Sequence, residues 1–298
     1  MNEQKMLWLR GGILAVLLLF AAMVYLPEER GALLGQLGAA DPFCEEGLLC
    51  IAYLDVGQGD ASFIESPTGV QVLIDGGPNE SVLRELSAVM GTFDRTIDIV
   101  VATHPDADHI GGLVDVLDRY QVSMIIMTEN ESDSAVAARF LERVTEEGAE
   151  IVYARRGQVY KLGNGSQFEI LFPETNPKDM ESNASSIVLK LMYGTTSALF
   201  TGDSPKRIEE YLVLAEGEHL KSDVLKVGHH GSRTSTSELF LAEVDPEYAV
   251  ISAEKDSRYG HPHVEVTDLL FNYGVATKST AEDGSVYLVS DGSVVTFQ

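Results

Sequence analysis

From Leu48 to the C-terminus, short apolar runs rich in β-branched residues alternate with longer stretches of helical periodicity. The short runs predict strands over 49–55, 61–65, 70–74, 98–102, 122–127, 150–153, 158–161, 167–172, 187–192, 197–201, 223–228, 248–252, 275–278, 285–289 and 294–297. The helical periodicity predicts helices over 80–90, 111–119, 133–147, 204–215, 235–242 and 264–272. Ser66-Pro67-Thr68-Gly69, Gly163-Asn164-Gly165 and Asp291-Gly292 supply the turn residues that join neighbouring strands into hairpins. The order is β-rich, then alternating β and α, then β-rich, then alternating again. A plain doubly wound sheet would not open each half with hairpin strands. The pattern suits an α/β four-layer αββα sandwich, two mixed β-sheets face to face with helices outside.

The first 26 residues follow a different rule. Gly11 to Leu26 is an unbroken apolar run of 16 residues, about 24 Å of helix against a hydrocarbon layer of about 30 Å. Extension back to Met6 gives 21 residues and about 31 Å, with Arg10 able to reach the headgroups. Lys5 and Arg10 precede the run while Glu28 and Glu29 follow it, so the positive-inside bias leaves the N-terminus in the cytoplasm and the rest of the chain outside. The reading is a single-pass membrane anchor over 1–26, a linker over 27–47 and one domain over 48–298. A cleaved signal peptide is the rival, although the nearest small-residue site, Gly38-Ala39-Ala40, lies well downstream. Either way the domain is extracytoplasmic: held at the cell membrane by the N-terminal helix, or secreted.

Cys44 and Cys50, the chain's only cysteines, either close a small loop in an oxidising compartment or remain two thiols. Charge narrows the partners. Asp and Glu number 46 against 21 Lys and Arg, a formal net charge of -25, which repels polyanions and argues against a broad basic surface for gripping nucleic acid.

Six of the seven histidines fall into three short clusters. In the first, Thr103-His104-Pro105-Asp106-Ala107-Asp108-His109 follows the apolar strand Ile99 to Ala102 and precedes Gly111-Gly112, where a helix is expected to begin. Pro105 cannot join a sheet ladder, so 104–109 reads as a loop at a strand's C-terminal end. One His-x-Asp is ordinarily a cap or an ion pair. Four ligand-type residues within six positions point instead to a divalent cation. Leu199-Phe200-Thr201-Gly202-Asp203 is a strand ending in an acid, a weak signal alone because Asp commonly caps the next helix. Gly228-His229-His230-Gly231-Ser232 follows another buried strand, whose alternation would send His229 and His230 to opposite sides. Tyr259-Gly260-His261-Pro262-His263 precedes a helix.

Together these residues resemble the metallo-β-lactamase superfamily. Leu54-Asp55-Val56-Gly57-Gln58-Gly59-Asp60-Ala61 and Leu73-Ile74-Asp75-Gly76-Gly77 narrow the resemblance to the C-terminal hydrolase domain of ComEC-type DNA-uptake proteins, in order over residues 48 to 298. The resemblance implies two divalent metal ions, Zn2+ or Mn2+. His104 and Asp106 would hold one, Asp108 and His109 the other, and Asp203 would bridge them. One of His229 and His230 would complete the second ion's ligands or contact the substrate, with His229 placed among the metal ligands and His230 with Asp108, Asp203 and His261 among the catalytic residues. His261 would be a last ligand or a proton donor. Asp75 and Asn183 would support the ligands from behind. Two departures stand out: Asp106 occupies a position where the superfamily's commonest form has His, and Asn183-Ala184-Ser185-Ser186 lies where a third histidine is usual. The added oxygen ligands shift preference toward manganese.

Two divalent cations against three aspartates leave about one net positive charge, which suits an anionic phosphodiester. Lys226, Ser232 and Thr234 are the candidate phosphate contacts. The leading reading is a phosphodiesterase or nuclease using metal-activated water in DNA uptake or processing. A second keeps the chemistry and takes a cell-envelope phosphodiester, choline-phosphate or teichoic-acid-like. A third is a non-catalytic binding module that retains the fold. Protein partners are not indicated.

Overall fold

The computed structural model describes residues 43–91 and 93–298. The expected membrane helix, and the linker as far as residue 42, lie outside the described residues. Among those described, no helix is long and apolar enough to cross a membrane.

Phe43–Gln298 forms a compact unit of two sheets. In the first, strands stand in the order β15 (Val295–Phe297), β14 (Val286–Ser290), β1 (Leu49–Tyr53), β2 (Ser62–Glu65), β3 (Gln71–Ile74), β4 (Thr96–Ala102), β5 (Gln121–Met127), β6 (Glu150–Tyr153). The second runs β13 (Ala276–Ser279), β12 (Tyr248–Ile251), β11 (Val224–Lys226), β10 (Thr196–Phe200), β9 (Val188–Tyr193), β8 (Ser166–Phe172), β7 (Val159–Gly163). Each sheet opens with antiparallel hairpins and continues with parallel strands: β3 to β6 in the first, β10 to β13 in the second. The chain then returns to the first sheet, where β14 pairs antiparallel with β1.

Three apolar layers hold this arrangement. Tyr53, Ile64 and Val101 of the first sheet meet Phe168, Leu189 and Phe200 of the second, all buried, with the Tyr53 and Phe200 rings 5.9 Å apart. Outside the first sheet pack α1 (Ser81–Val89), α2 (Ala107–Leu117) and α3 (Ala135–Glu147) through Leu86, Leu113 and Phe140. Outside the second pack α4 (Lys206–Glu216), α5 (Glu238–Val244) and α6 (Val264–Asn272) through Leu212, Phe240 and Leu270. Each such side chain contributes roughly 1.5–3 kcal/mol of transfer free energy. The result is the expected αββα sandwich. A short helix α7 (Thr280–Asp283) completes the described elements.

At the amino end of the unit, the Phe43 ring lies 6.0 Å from that of Phe63 and 5.9 Å from that of Tyr287. Cys44 and Cys50 form a disulfide. Phe43 and Cys44 are therefore packed onto the sandwich.

Two local expectations are corrected. Helix α2 begins at Ala107, not at Gly111, so Asp108 and His109 sit in its first turn rather than in a loop. Gly111 and Gly112 do not mark the helix start. They let it approach the 76–79 loop, where a Cβ on Gly111 would lie 2.2 Å from Pro78 O and one on Gly112 2.0 Å from Gly76 O. The strand expected over 223–228 stops at Lys226, and Gly228–Gly231 forms a 3-10 turn.

Candidate metal centre

Parallel strands all end on one side, and the candidate residues follow those ends. Asp75 follows β3, His104 to His109 follow β4, Asp203 follows β10, and His229 and His230 follow β11. Asp60 joins them from the β1–β2 loop. Open α/β sheets place their ligands at the carboxyl ends of strands for the same reason, since loops there converge without disturbing the ladders.

Asp75 organises the first-sheet side. It is buried and held at φ 57°, a left-handed conformation uncommon for aspartate. Thr103 donates to it twice, from N–H to Oδ1 (2.8 Å) and from Oγ1 to Oδ2 (2.7 Å), and His109 Nδ1 lies 2.8 Å from Oδ2. An ionised carboxylate only accepts, so His109 carries its proton on Nδ1 and turns a bare Nε2 inward. Thr103 Oγ1 has spent its hydrogen on Asp75, so at 3.0 Å it accepts from His104 Nδ1, and His104 Nε2 is bare too. On the second-sheet side His230 Nδ1 lies 3.1 Å from Ser252 O, an obligatory acceptor, and the same tautomer follows. Two segments, one after β4 and one after β11, thus present three Nε2 atoms that are bare when the rings are neutral.

These nitrogens converge on Asp203. Its Oδ1 lies 3.3 Å from His109 Nε2, and its Oδ2 lies 3.9 Å from His104 Nε2 and 3.7 Å from His230 Nε2. Asp108 Oδ2 is 3.3 Å from His230 Nε2, and Asp106 Oδ2 is 3.7 Å from His104 Nε2. His104, His109 and Asp203 form one set whose ligand atoms all lie within 4.8 Å of one another; Asp108, His109 and His230 form a second. His104 Nε2, His109 Nε2, His230 Nε2 and Asp203 Oδ1 are buried without any hydrogen-bond partner. Buried polar atoms ordinarily find partners. Four orphans facing one point fit divalent cations, and these donors are what such ions take.

The electrostatics say the same. Burial opposes a charged His109, yet Asp203 and Asp75 outweigh it and raise its pKa well above the usual range. Burial likewise opposes charge on His230, but Asp203 and Asp60 push it up to about 10. Burial pushes the Asp203 carboxyl up, but His109 and His230 hold it well below the usual carboxylate range. The carboxylates demand positive charge at this spot, and protons supply it where cations do not. His104 goes the other way, lowered by burial and by His109.

Several expected positions differ. His230, not His229, occupies the buried place among the carboxylates; His229 is partly exposed, its Nε2 3.6 Å from Asp203 Oδ2. Strand alternation failed here because both residues lie in the turn at positive φ, 49° and 54°. Backbone held in so sparse a region commonly marks a functional site. Lys226 was expected to meet phosphate, but its ammonium is buried against Asp60, 2.8 Å from each carboxylate oxygen. Ser232 is buried in the turn, its Oγ 2.9 Å from Thr234 Oγ1. Thr234 stays exposed, 3.0 Å from His229 Nδ1. Asn183 Nδ2 lies 3.4 Å from His229 Nδ1. Asp106 sits at the rim, where Ser182 Oγ donates to it at 2.5 Å. His261 lines the opening, 5.6 Å ring to ring from His229, with Gln58 Nε2 donating to its Nδ1 at 3.4 Å. Burial, then the charges of His230 and His229, push its pKa down to about 4. At neutral pH His261 is uncharged.

Asp60 was missed as a site residue although it lies within the quoted Gly57-Gln58-Gly59-Asp60 stretch. Its signal was a carboxylate directly after a glycine-rich turn. Gly59, at φ 153°, could not carry a Cβ, which would meet Asp108 O at 2.3 Å.

The sequence profile of the metallo-beta-lactamase superfamily matches residues 54–254. ComE operon protein 3 of Bacillus subtilis is 33% identical over 263 residues, 82% of this chain and 33% of that protein. Recombination protein 2 of Haemophilus influenzae is 30% identical over 237 residues, 78% of this chain and 28% of its own length. The chain thus spans about a third of the length of these curated relatives. Among solved structures, Zn(2+)-bound PqqB from Methylobacterium extorquens shares the fold at a TM-score of 0.51 and 13% identity, over 78% of this chain and 87% of that one. With its sandwich, its convergent histidines and aspartates and a profile match over most of the domain, this chain belongs to the metallo-β-lactamase superfamily of metal-dependent hydrolase folds.

Proposed function

We propose that the chain is an extracytoplasmic, metal-dependent phosphodiesterase that acts on nucleic acid, held at the membrane by its N-terminal segment. The observation that carries the enzymatic reading is the meeting of His104, His109 and His230 Nε2 with Asp203 Oδ1, all buried and unpartnered. His104 and Asp203 would hold one ion, with Asp106 at its rim, and Asp108 and His230 a second; His109 groups with both sets but has one free nitrogen and would serve only one of them. Zn2+ or Mn2+ bound there would supply Lewis acidity and an acidified water.

The chain's own residues do the rest. Asp75 and Thr103 fix His109 and His104, Ser252 O fixes His230, and none needs to reorganise during reaction. Asp108 is partly exposed and faces the opening with its pKa lowered: burial raises it, but neighbouring His230 and His109 more than offset that. It is therefore ionised and able to accept a proton. Neutral His261, with Gln58 donating to Nδ1, keeps its ring proton on Nε2 and can donate a hydrogen bond to substrate. His229 and Thr234 line the same opening.

Charge also shapes the choice of substrate. Lys226 cancels Asp60, and buried Asp75 brings the balance of the loaded centre to about zero. Long-range attraction of an anion is then weak, and short-range contacts must select it. A second reading, a cell-envelope phosphodiester, is favoured by the formal net charge of -25, which opposes a long polyanion. The similarity to ComE operon protein 3 and recombination protein 2 supports the nucleic-acid reading.

The test is hydrolysis of bis(p-nitrophenyl) phosphate, single- and double-stranded DNA and envelope polymers across Mn2+ and Zn2+ concentrations, with Asp203→Asn as control. Cleavage of the small diester and of DNA, lost in the variant, is expected. Absence of any diester cleavage at every metal concentration would refute the phosphodiesterase.

A further inference from the structure

Asp60 satisfies every spacing requirement of a metal ligand, since it groups within 4.8 Å with Asp203 and His230, and again with Asp75 and His109. Its surroundings say otherwise. Lys226 Nζ lies 2.8 Å from both carboxylate oxygens and also donates to Val227 O at 3.2 Å. Asp60 Oδ1 is 3.2 Å from His230 Nδ1. Both oxygens are therefore engaged, unlike Asp203 Oδ1 and the three Nε2 atoms, which are buried without partners. The contact to His230 is also made at the far nitrogen, the one turned away from Asp108 and Asp203. A group on that side orients the ring and does not share its ion.

The pair has a second consequence. Asp60 comes from the first sheet's β1–β2 loop, where its N–H donates to Asp108 O at 3.2 Å; Lys226 and His230 come from the end of β11 in the second sheet. The ion pair is a charged tie between the two halves of the centre. It sits directly behind His230 and beneath Asp108, so it fixes the distance between residues contributed by different sheets. Asp75 does the corresponding work for His109 within the first sheet alone.

We propose that Asp60 is a positioning residue for His230, and that Lys226 occupies the Asp60 carboxylate so that it stays out of the metal shell. The inference rests on the metal-centre reading above.

Its test compares wild-type protein with Asp60→Asn, which keeps the shape and one acceptor, and with the charge-free pair Asp60→Asn/Lys226→Met, which leaves no buried charge unpaired. Zn2+ content is measured by elemental analysis, affinity by chelator competition, and ligand geometry by the visible bands of Co2+-loaded protein. Both variants should bind the wild-type number of ions, about 10- to 100-fold more weakly, with displaced Co2+ bands. Loss of one equivalent of metal in Asp60→Asn would make Asp60 a ligand and overturn the proposal. So would unchanged affinity together with unchanged Co2+ bands, since a purely structural ion pair leaves both alone. Wild-type protein that binds no ion removes the centre itself, a result seen before any variant is compared.

Discussion

Replacing Gly112 with alanine sets local and tertiary preference against each other. In an isolated helix the change favours α2 by about 1 kcal/mol, because glycine is the poorer helix former. In the folded chain the new Cβ would stand 2.0 Å from Gly76 O, 2.5 Å from Asn79 O and 2.8 Å from Val82 Cγ1. Ordinary carbon-to-carbonyl contacts lie near ~3.3 Å, so the helix must retreat by more than ~1 Å. Two of the three obstructing atoms are backbone carbonyls that cannot swing aside. Retreat also stretches the bond from Gly112 N–H to Gly77 O, now 2.9 Å. Overpacking costs about 1–3 kcal/mol and the bond about 1 kcal/mol. After the propensity gain, a net loss of about 2 kcal/mol remains, or roughly 4–8 °C in Tm for a domain of this size. Because α2 carries Asp108 and His109 in its first turn, metal affinity should fall with stability. Thermal unfolding in chelator, followed by Zn2+ competition, measures both. A Tm at or above wild type would mean that α2 does not press on the 76–79 loop, and the explanation for the glycine pair would fail.

Three other outcomes are expected. Lys226→Met alone leaves the Asp60 carboxylate buried without its cation and should cost about 3–5 kcal/mol in urea unfolding, most of it recovered in the Asp60→Asn/Lys226→Met double variant. Equal stability of the single and double variants would deny that the pair is desolvated. Cys44→Ser/Cys50→Ser removes a bridge of sequence separation 6 and should lower stability by about 2 kcal/mol, with wild-type protein losing the same amount under reductant. Glu209 is buried, which raises its pKa above the ordinary 4.5 despite hydrogen bonds from Ser237 and Thr236 N–H. A raised folded value means its contribution is fully present below pH 4.5 and is lost as pH climbs through that value. The stability difference between wild type and Glu209→Gln, followed by unfolding from pH 4 upward, should therefore shrink as pH rises, and a difference that grows would reverse the sign.

Much of the site was legible because its chemistry is concentrated in short stretches. His104-Pro105-Asp106-Ala107-Asp108-His109 crowds ligand types too densely for caps or surface pairs. An acid after the strand ending at Phe200 gained meaning only beside it. The errors share one cause: side-chain direction was inferred from assumed local structure. His229 and His230 were placed by strand alternation, but the strand ends at Lys226 and a turn at positive φ sends His230 inward. Lys226 was read as a candidate phosphate contact because lysine is seldom buried, yet it is buried against a carboxylate 166 residues away.

The sequence by itself determined the layers of this protein and most of its candidate ligand residues. Hydrophobic periodicity dictates which face of each strand or helix avoids water, and imidazoles and carboxylates declare their chemistry wherever they fall. Only the tertiary structure decided which nitrogen each histidine turns inward and which carboxylate remains free. Asp60 and Asp203 are alike as sequence, both aspartates in loops after or between strands. One is bound by an ammonium from the opposite sheet; the other is left with an unpartnered oxygen among three imidazoles. That difference arises from contacts between segments far apart in the chain, on which local periodicity carries no information.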